Sequence, residues 1–322
     1  MPRSRGNRGL IGSQQLVTSS SASGVHSILD HFLNKGAGTW PNAGNIIAEV
    51  LMIAGGGAGG GTIGAGGGAG GVLVGTLYIP STPTTYPVVI GAGGASGADG
   101  TNGNNTTFYG LTCYGGGGAY TYTSTNNTNL GKDGGSGGGG AGNRGGLSAG
   151  GAATQTSQGG LTGYGYAGGT GKSSGDPIQP AGGGGAGAVG QDGQNTGTTK
   201  AGDGGDGIYN SFRTGSNVGY AGGGSGNSYN SAANPTDKRD TFGGGVSISN
   251  EKVSGVANSG GGGAGGGFVY GPNQGAGGSG IVVIRYAGSA RATGGTITTI
   301  NVSGISYTVH SFLATGNFIV AG

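Results

Sequence analysis

Cysteine is nearly absent from this chain. The single one, Cys113, excludes an intrachain disulfide and any zinc cluster built from several thiolates. A fold completed without disulfides suits assembly in a reducing cytoplasm. Charge is scarce as well: Asp, Glu, Lys and Arg together make up 8% of the residues, and the formal net charge is only +3. Arg3, Arg5 and Arg8 supply much of that excess at one terminus. No basic patch or RNA-binding motif follows them, so a solvated arm is expected and nucleic acid is not expected as the main partner. No run approaches the roughly 18 apolar residues of a membrane span, and no apolar stretch of signal-peptide type opens the chain. Neither membrane insertion nor Sec export is therefore expected.

Glycine fills the space that these residues leave. It supplies 91 of 322 positions, against about 7% in ordinary globular chains. Collagen is excluded because runs such as GGGAGGG and GGGGAGAVG break the strict three-residue period, and only 9 prolines are present. Disorder fits poorly with the low net charge and with the strand-like blocks IIAEVLMIA, VLVGTLYI and IVVIRYA that flank the tract. Ordered glycine runs can adopt the polyproline-II conformation, with about 3.1 Å rise per residue and every backbone polar group pointing outward. The sequence is therefore read as mainly β, with a bundle of polyglycine/polyproline-II helices inserted in a β-sandwich-like framework and one short N-terminal α-helix.

Three regions are expected. In residues 1–44, Val25, Ile28, Leu29, Phe32 and Leu33 recur at i, i+3, i+4, i+7 and i+8, one face of a helix about three turns long. Ser23 can cap its start and Gly36 its end. Such a helix needs a surface to bury its stripe, and it is read as an attachment element. Residues 45–288 form the glycine-rich polyproline-II/β module, opened by IIAEVLMIA and closed by IVVIRYA. Residues 289–322 alternate Ile, Val and Phe with Thr and Ser and read as a β-meander. Glu49 and Arg285 are single charges in the two most apolar strands. A buried lone charge is costly, so the two strands are expected side by side with Glu49 opposite or diagonal to Arg285.

Catalytic signatures are missing. GYGYAGGTGKSS fails the phosphate-loop register, because Tyr166 stands where the first glycine is required. AGDGGDGIYN resembles a calcium-binding nonapeptide, but Tyr209 occupies an aspartate position and no second copy exists. His26, His31 and His310 form no ligand pattern, and the acidic residues show no paired spacing. An enzyme, a metal site and a cofactor are not expected. The positive signal lies in the polar loops, where Tyr120, Tyr122, Tyr209, Phe212, Arg213 and Tyr229 stand among Asn, Ser and Thr. Rigid aromatics flanked by amides are the composition of evolved binding loops and suit sugar rings. Plain soluble connectors have the same composition.

The succession EVLMIAGGGAGGG, GAGGVLVGTLYI, YPVVIGAGG, NTTFYGLTCYGGGG and SGIVVIRYAG resembles the glycine-rich domain of tailed-phage virion proteins, those of marine phages especially. The leader SASGVHSILDHFLNKGAGTWP and the tail GGTITTINVSGISYTVHSFLATGNFIV are similar to segments that flank such domains. The resemblance implies a virion protein, assembled in the host cytoplasm, of the tail-fibre or adhesin kind and binding a host-surface polysaccharide. Its N-terminal segment would contact other tail or capsid proteins, and a homotrimer is expected by analogy with fibres. The alternatives are a capsid decoration or head-fibre protein without a receptor, and an ice-binding or free structural glycine-rich protein. The irregular Tyr/Asn loops speak against the flat repetitive face that ice binding requires.

Overall fold

The computed structural model describes residues 45–122, 130–142, 147–172, 178–194, 200–227, 239–247, 253–267 and 274–321. Thirteen strands are assigned among them: β1 (Ile46–Ile53), β2 (Val72–Ile79), β3 (Thr84–Val89), β4 (Thr106–Phe108), β5 (Leu111–Cys113), β6 (Thr162–Tyr164), β7 (Ile208–Asn210), β8 (Val218–Tyr220), β9 (Ile281–Ala287), β10 (Ala292–Thr293), β11 (Thr296–Val302), β12 (Ile305–Phe312) and β13 (Gly316–Val320). They build a six-stranded sheet in the order β11-β12-β9-β1-β2-β6, a five-stranded sheet in the order β10-β13-β3-β4-β5, and the separate hairpin β7-β8. Every pairing within these sheets is antiparallel. The strands of residues 289–322 are shared out, with β11 and β12 extending the larger sheet while β10 and β13 join the smaller.

The alternation of β1 explains the layering. Successive side chains of a strand point to opposite faces. Ile46, Ala48, Val50 and Met52 pack with Leu73, Ile284, Phe108, Phe312 and Phe318 in the core between the two sheets. Leu51 and Ile53, on the opposite face, join a second cluster with Val72, Val283, Val309, Tyr220 and Ala221. Both faces of the central strands are therefore covered, which is why β1 and β9 read as near-continuous apolar runs. Cys113 is fully buried beneath the sheet, and burial pushes its thiol well above the ordinary range.

The glycine runs need a correction. No helix is assigned to them, and the expected bundle of polyproline-II helices is not a feature of this fold. The helical assignment among the described residues is a single turn, Arg239–Phe242. The N-terminal helix expected on Val25, Ile28, Leu29, Phe32 and Leu33 lies outside the described residues and is not supported. In place of a helix bundle there are extended segments tied to one another by backbone hydrogen bonds. Glycine has no strong conformational preference of its own, so the course of each run is set by its neighbours and not by an intrinsic helix.

The pattern of those bonds is regular around the run 66–71. Gly66 and Ala69 donate to Ala181 and Gly184, Gly67 and Gly70 donate to Gly263 and Gly260, and Gly68 and Gly71 donate to Gly117 and Tyr114, all at 2.8–3.0 Å. Three neighbouring segments thus surround this one, and each takes every third amide. Buried amides must be paired somewhere, and here the pairing itself forms the interior. The close approach leaves no room for side chains. A Cβ on Gly183 would lie 2.1 Å from the Gly67 carbonyl oxygen.

The ends of the runs are fastened by side chains. Asp99 Oδ1 accepts from Thr121 N at 3.0 Å, Asp133 Oδ1 from Ala152 N at 2.6 Å, and Asp192 Oδ1 from Thr170 N at 2.8 Å. Gln158 completes the open edge of β5 with its amide, accepting from Thr112 N at 3.1 Å and donating to Thr112 O at 2.9 Å.

His310 is buried between the sheets with no exposed surface. Its Nδ1 lies 2.8 Å from Gly294 O and therefore donates, so Nε2 is the acceptor for the Tyr286 hydroxyl at 3.0 Å. That hydroxyl in turn accepts from Arg291 N at 3.0 Å. Burial holds His310 below the usual imidazole range, with the Gly294 bond pulling weakly the other way. Protonation would place a second N–H against a hydroxyl that is already committed.

Two outcomes are expected. Gly183→Ala forces a methyl group onto backbone that cannot rotate away, and is expected to lower stability by about 3 kcal/mol or more. Gly97→Ala, whose Cβ would meet nothing nearer than Asp99 O at 3.5 Å, should be neutral or stabilising by up to about 1 kcal/mol. Denaturant unfolding of the two variants checks this, and equal losses would show that close packing does not limit the lattice. Second, His310 contributes stability that is complete above its unfolded value of about 6.5 and is lost as pH falls below that. Thermal melts should decline as pH falls below about 6.5, and His310→Gln should flatten that limb.

Candidate binding site

The β1–β9 register sets Glu49 directly across from Arg285, and the structure brings their side chains together. Arg285 Nε donates to Glu49 Oε2 at 2.8 Å, with the arginine side chain 7% exposed and the glutamate side chain 33% exposed. The guanidinium is also held between two rings, 4.4 Å from the centre of Phe212 and 4.7 Å from that of Tyr307. Its Nη1 reaches toward Ser211 O at 3.5 Å. Ser211 and Phe212 belong to the turn that joins β7 to β8. Arg285 therefore fastens this hairpin to the face of the large sheet, a role that its own strand gives no hint of.

The turn is shaped locally. Asn210 Oδ1 accepts from Phe212 N at 2.8 Å, Gly215 takes φ +82° and its N–H bonds Ser211 O at 2.9 Å, and Thr214 Oγ1 donates to Ser216 O at 2.8 Å. A seven-residue connection, 211–217, is thereby held in one conformation. Beside it opens a cavity of about 530 Å³, walled by Tyr209, Arg213, Asn217 and Tyr220 of the hairpin, by Thr241 of the helical turn, and by Asn258 and Ser259 of a following turn. Gly219 lets the two walls meet, since a Cβ there would lie 1.8 Å from Thr241 O.

Two residues of that wall were singled out from sequence. Tyr209 is 57% exposed and leans on Phe242 with the ring centres 4.9 Å apart, so its ring is braced from one side. Arg213 is half-buried and takes part in no ion pair among the described residues. Phe212, from the same loop, turns inward under Arg285 and packs against the sheet cluster instead. Tyr120 packs against Ala65, Ala119 and Ala141 and carries Lys132 Nζ 4.8 Å above its ring, while the Tyr122 hydroxyl is buried. Neither lines this cavity. Tyr229 lies outside the described residues.

Tyr220 was not foreseen. It lines the cavity, is 2% exposed, and its hydroxyl is buried. Burial raises its pKa, and the neighbouring Arg213 guanidinium, by its charge and as a hydrogen-bond donor, opposes that shift. A second concavity of about 580 Å³ is lined by Tyr86, Phe108, Tyr109 and Leu111 at the β4–β5 turn. Tyr86 and Tyr109 tilt against each other at 5.2 Å, and Tyr109 sits at φ +53° beside Gly110 at φ +73°. These two positive angles are those of a two-residue hairpin turn matched to strand twist, but a tyrosine there is uncommon. This groove has no charged residue in its lining.

Among the described residues no group of three His, Cys, Asp or Glu is placed to hold a metal ion, and no helix is long and apolar enough to cross a membrane. Asp203, of the calcium-like stretch, is instead bonded to Lys200 at 3.1 Å.

An antiparallel β framework carrying a hydrogen-bonded lattice of glycine segments, with polar turns displayed at its surface, defines a glycine-rich β protein. Residues 33–287 match the family model described as a glycine-rich domain, and the chain belongs to that family. None of the curated proteins matches it.

The Glu49–Arg285 pair is open to a direct test. Glu49→Gln is expected to cost about 1–2 kcal/mol, discounted because the carboxylate is one-third exposed. Arg285→Met should cost more, since it also releases Phe212, Tyr307 and the hairpin turn. A double-mutant cycle should give a coupling near 1 kcal/mol, and amide exchange in residues 208–220 should rise in Arg285→Met but not in Glu49→Gln. Absence of coupling would mean that the carboxylate is held to no advantage.

Proposed function

We propose that this protein is a structural component of a phage virion, a tail fibre or adhesin, and that the face bearing the β7–β8 hairpin takes a host-surface glycan. The observation that carries this reading is the cavity itself. It joins a braced and exposed tyrosine ring, Tyr209, to side-chain amides and a guanidinium, and it stands on a rigid framework. Sugar rings are recognised by that combination of a flat aromatic face and polar groups that fix orientation. The resemblance of the strand and glycine succession to virion proteins supports the wider setting. In this reading residues 1–44 join the protein to other tail or capsid components, the protein acts as a homotrimer, and assembly takes place in the host cytoplasm.

The test uses the full chain, fluorescently labelled, on an array of bacterial surface polysaccharides. Binding to a subset of them is expected, and Tyr209→Ala should weaken it about tenfold without lowering the melting temperature. If no polysaccharide binds and the labelled protein marks the particle head in electron micrographs, the protein is a decoration protein and the adhesin reading is lost.

A further inference from the structure

Resting on the glycan reading, we infer that the hairpin cavity selects an acidic saccharide, one that carries a carboxylate or sulfate on the ring that stacks on Tyr209. The cavity brings a guanidinium together with hydroxyls and amides that can donate to an anion. Among the described residues Arg213 is the one charged residue in the lining, no acidic side chain lines the cavity with it, and no ion pair engages it. Its contrast with Arg285 is instructive. That guanidinium is neutralised by Glu49 and covered by two rings, and it is spent on holding the fold. Arg213, two residues beyond Ser211 in the same turn, has no carboxylate against it among the described residues, so its charge is left for a ligand. The planar fork of a guanidinium matches an anionic pair of oxygens.

Two neutral groups reinforce it. Asn258 accepts from the Ser279 hydroxyl at 3.3 Å through its side-chain oxygen and is held by its own N–H to Ser279 Oγ at 2.9 Å. The NH₂ is then the free end of that amide. Asn258 adopts φ +60° to occupy its place in the wall, a conformation that asparagine tolerates better than most residues. The second group is the Tyr220 hydroxyl, buried beneath the cavity wall next to the Arg213 guanidinium. That hydroxyl has no surface open to a ligand, and its part is to steady the guanidinium that meets the anion. A neutral sugar offers hydroxyls, which would leave the guanidinium unmatched. An acidic sugar answers both Arg213 and its neighbours at once, while Tyr209 takes the ring.

The experiment measures binding of the full chain by titration calorimetry to oligosaccharides containing uronic or sialic acid and to sulfated oligosaccharides. Each is set beside its methyl ester or desulfated counterpart, which has the same rings without the charge. The acidic form is expected to bind at least tenfold more tightly than the neutral one, with affinity falling as salt rises. Arg213→Gln should remove that preference, and Tyr220→Phe, which keeps the ring in its packing, should weaken acidic binding several-fold. The carboxylate and sulfate series tell which group is taken. Equal binding of charged and neutral forms that Tyr209→Ala abolishes and Arg213→Gln leaves unchanged would overturn the acidic selectivity while the glycan reading stood. Binding of neither form, or binding indifferent to Tyr209→Ala, would overturn both. A melting temperature unchanged in each variant separates lost recognition from lost folding.

Discussion

Where a glycine amide in this protein donates to the carbonyl of a neighbouring segment, the two backbones lie too close for any side chain to stand between them. Gly224, which donates to Gly67 O at 2.9 Å while Gly183 packs on the same carbonyl, is one case among many, and the arrangement couples two requirements that ordinary cores keep separate. Satisfying the buried peptide groups and filling the interior are here the same act. Leu51 and Ile53 of the central strand face the lattice side and share a cluster with Ala69, Ala186 and Ala221 of its segments. The apolar sheet and the glycine interior therefore depend on each other: the sheet anchors the ends of the runs, and the runs cover a face that would otherwise be wet.

The β7–β8 hairpin draws its order from both. It is held from below by Arg285 through Ser211 and Phe212, and from the side by the Thr241 carbonyl packed on Gly219. Its two arginine contacts divide the work. A guanidinium whose charge is met and whose faces are covered serves architecture, and under the proposed function Arg213, without a carboxylate among the described residues, serves recognition. Sites built on supported elements keep their geometry better than sites on free loops, and the short turns that brace Asn210, Gly215 and Asn258 serve the same end.

Much of this could be read from residues alone, and the reasons for success and failure are physical. The adjacency of β1 and β9 follows from isolated charges in apolar strands, because burial makes a lone charge demand a partner. Order in the glycine tract follows from low charge and flanking strands. The helix bundle expected there was a misreading: an unencumbered backbone has few preferences, so its path depends on partners distant in sequence. The same distance hid the sharing of the C-terminal strands between two sheets and the clasp of Arg285 by Phe212 and Tyr307. Of the aromatic loop residues, composition could not separate Tyr209, which reaches the cavity, from Phe212 and Tyr120, which pack inward. Tyr220 and the Tyr86–Tyr109 groove gave no local signal, since their significance lies in what the fold places around them.

An interior made of peptide groups also carries its own thermal signature. Heat capacity rises on unfolding because apolar surface meets water, and exposure of polar backbone pulls it the other way. A lattice of glycine segments exposes much of the second kind and little of the first. The lattice is therefore expected to flatten the temperature dependence of stability, offsetting in part the steeper contribution of the two apolar clusters.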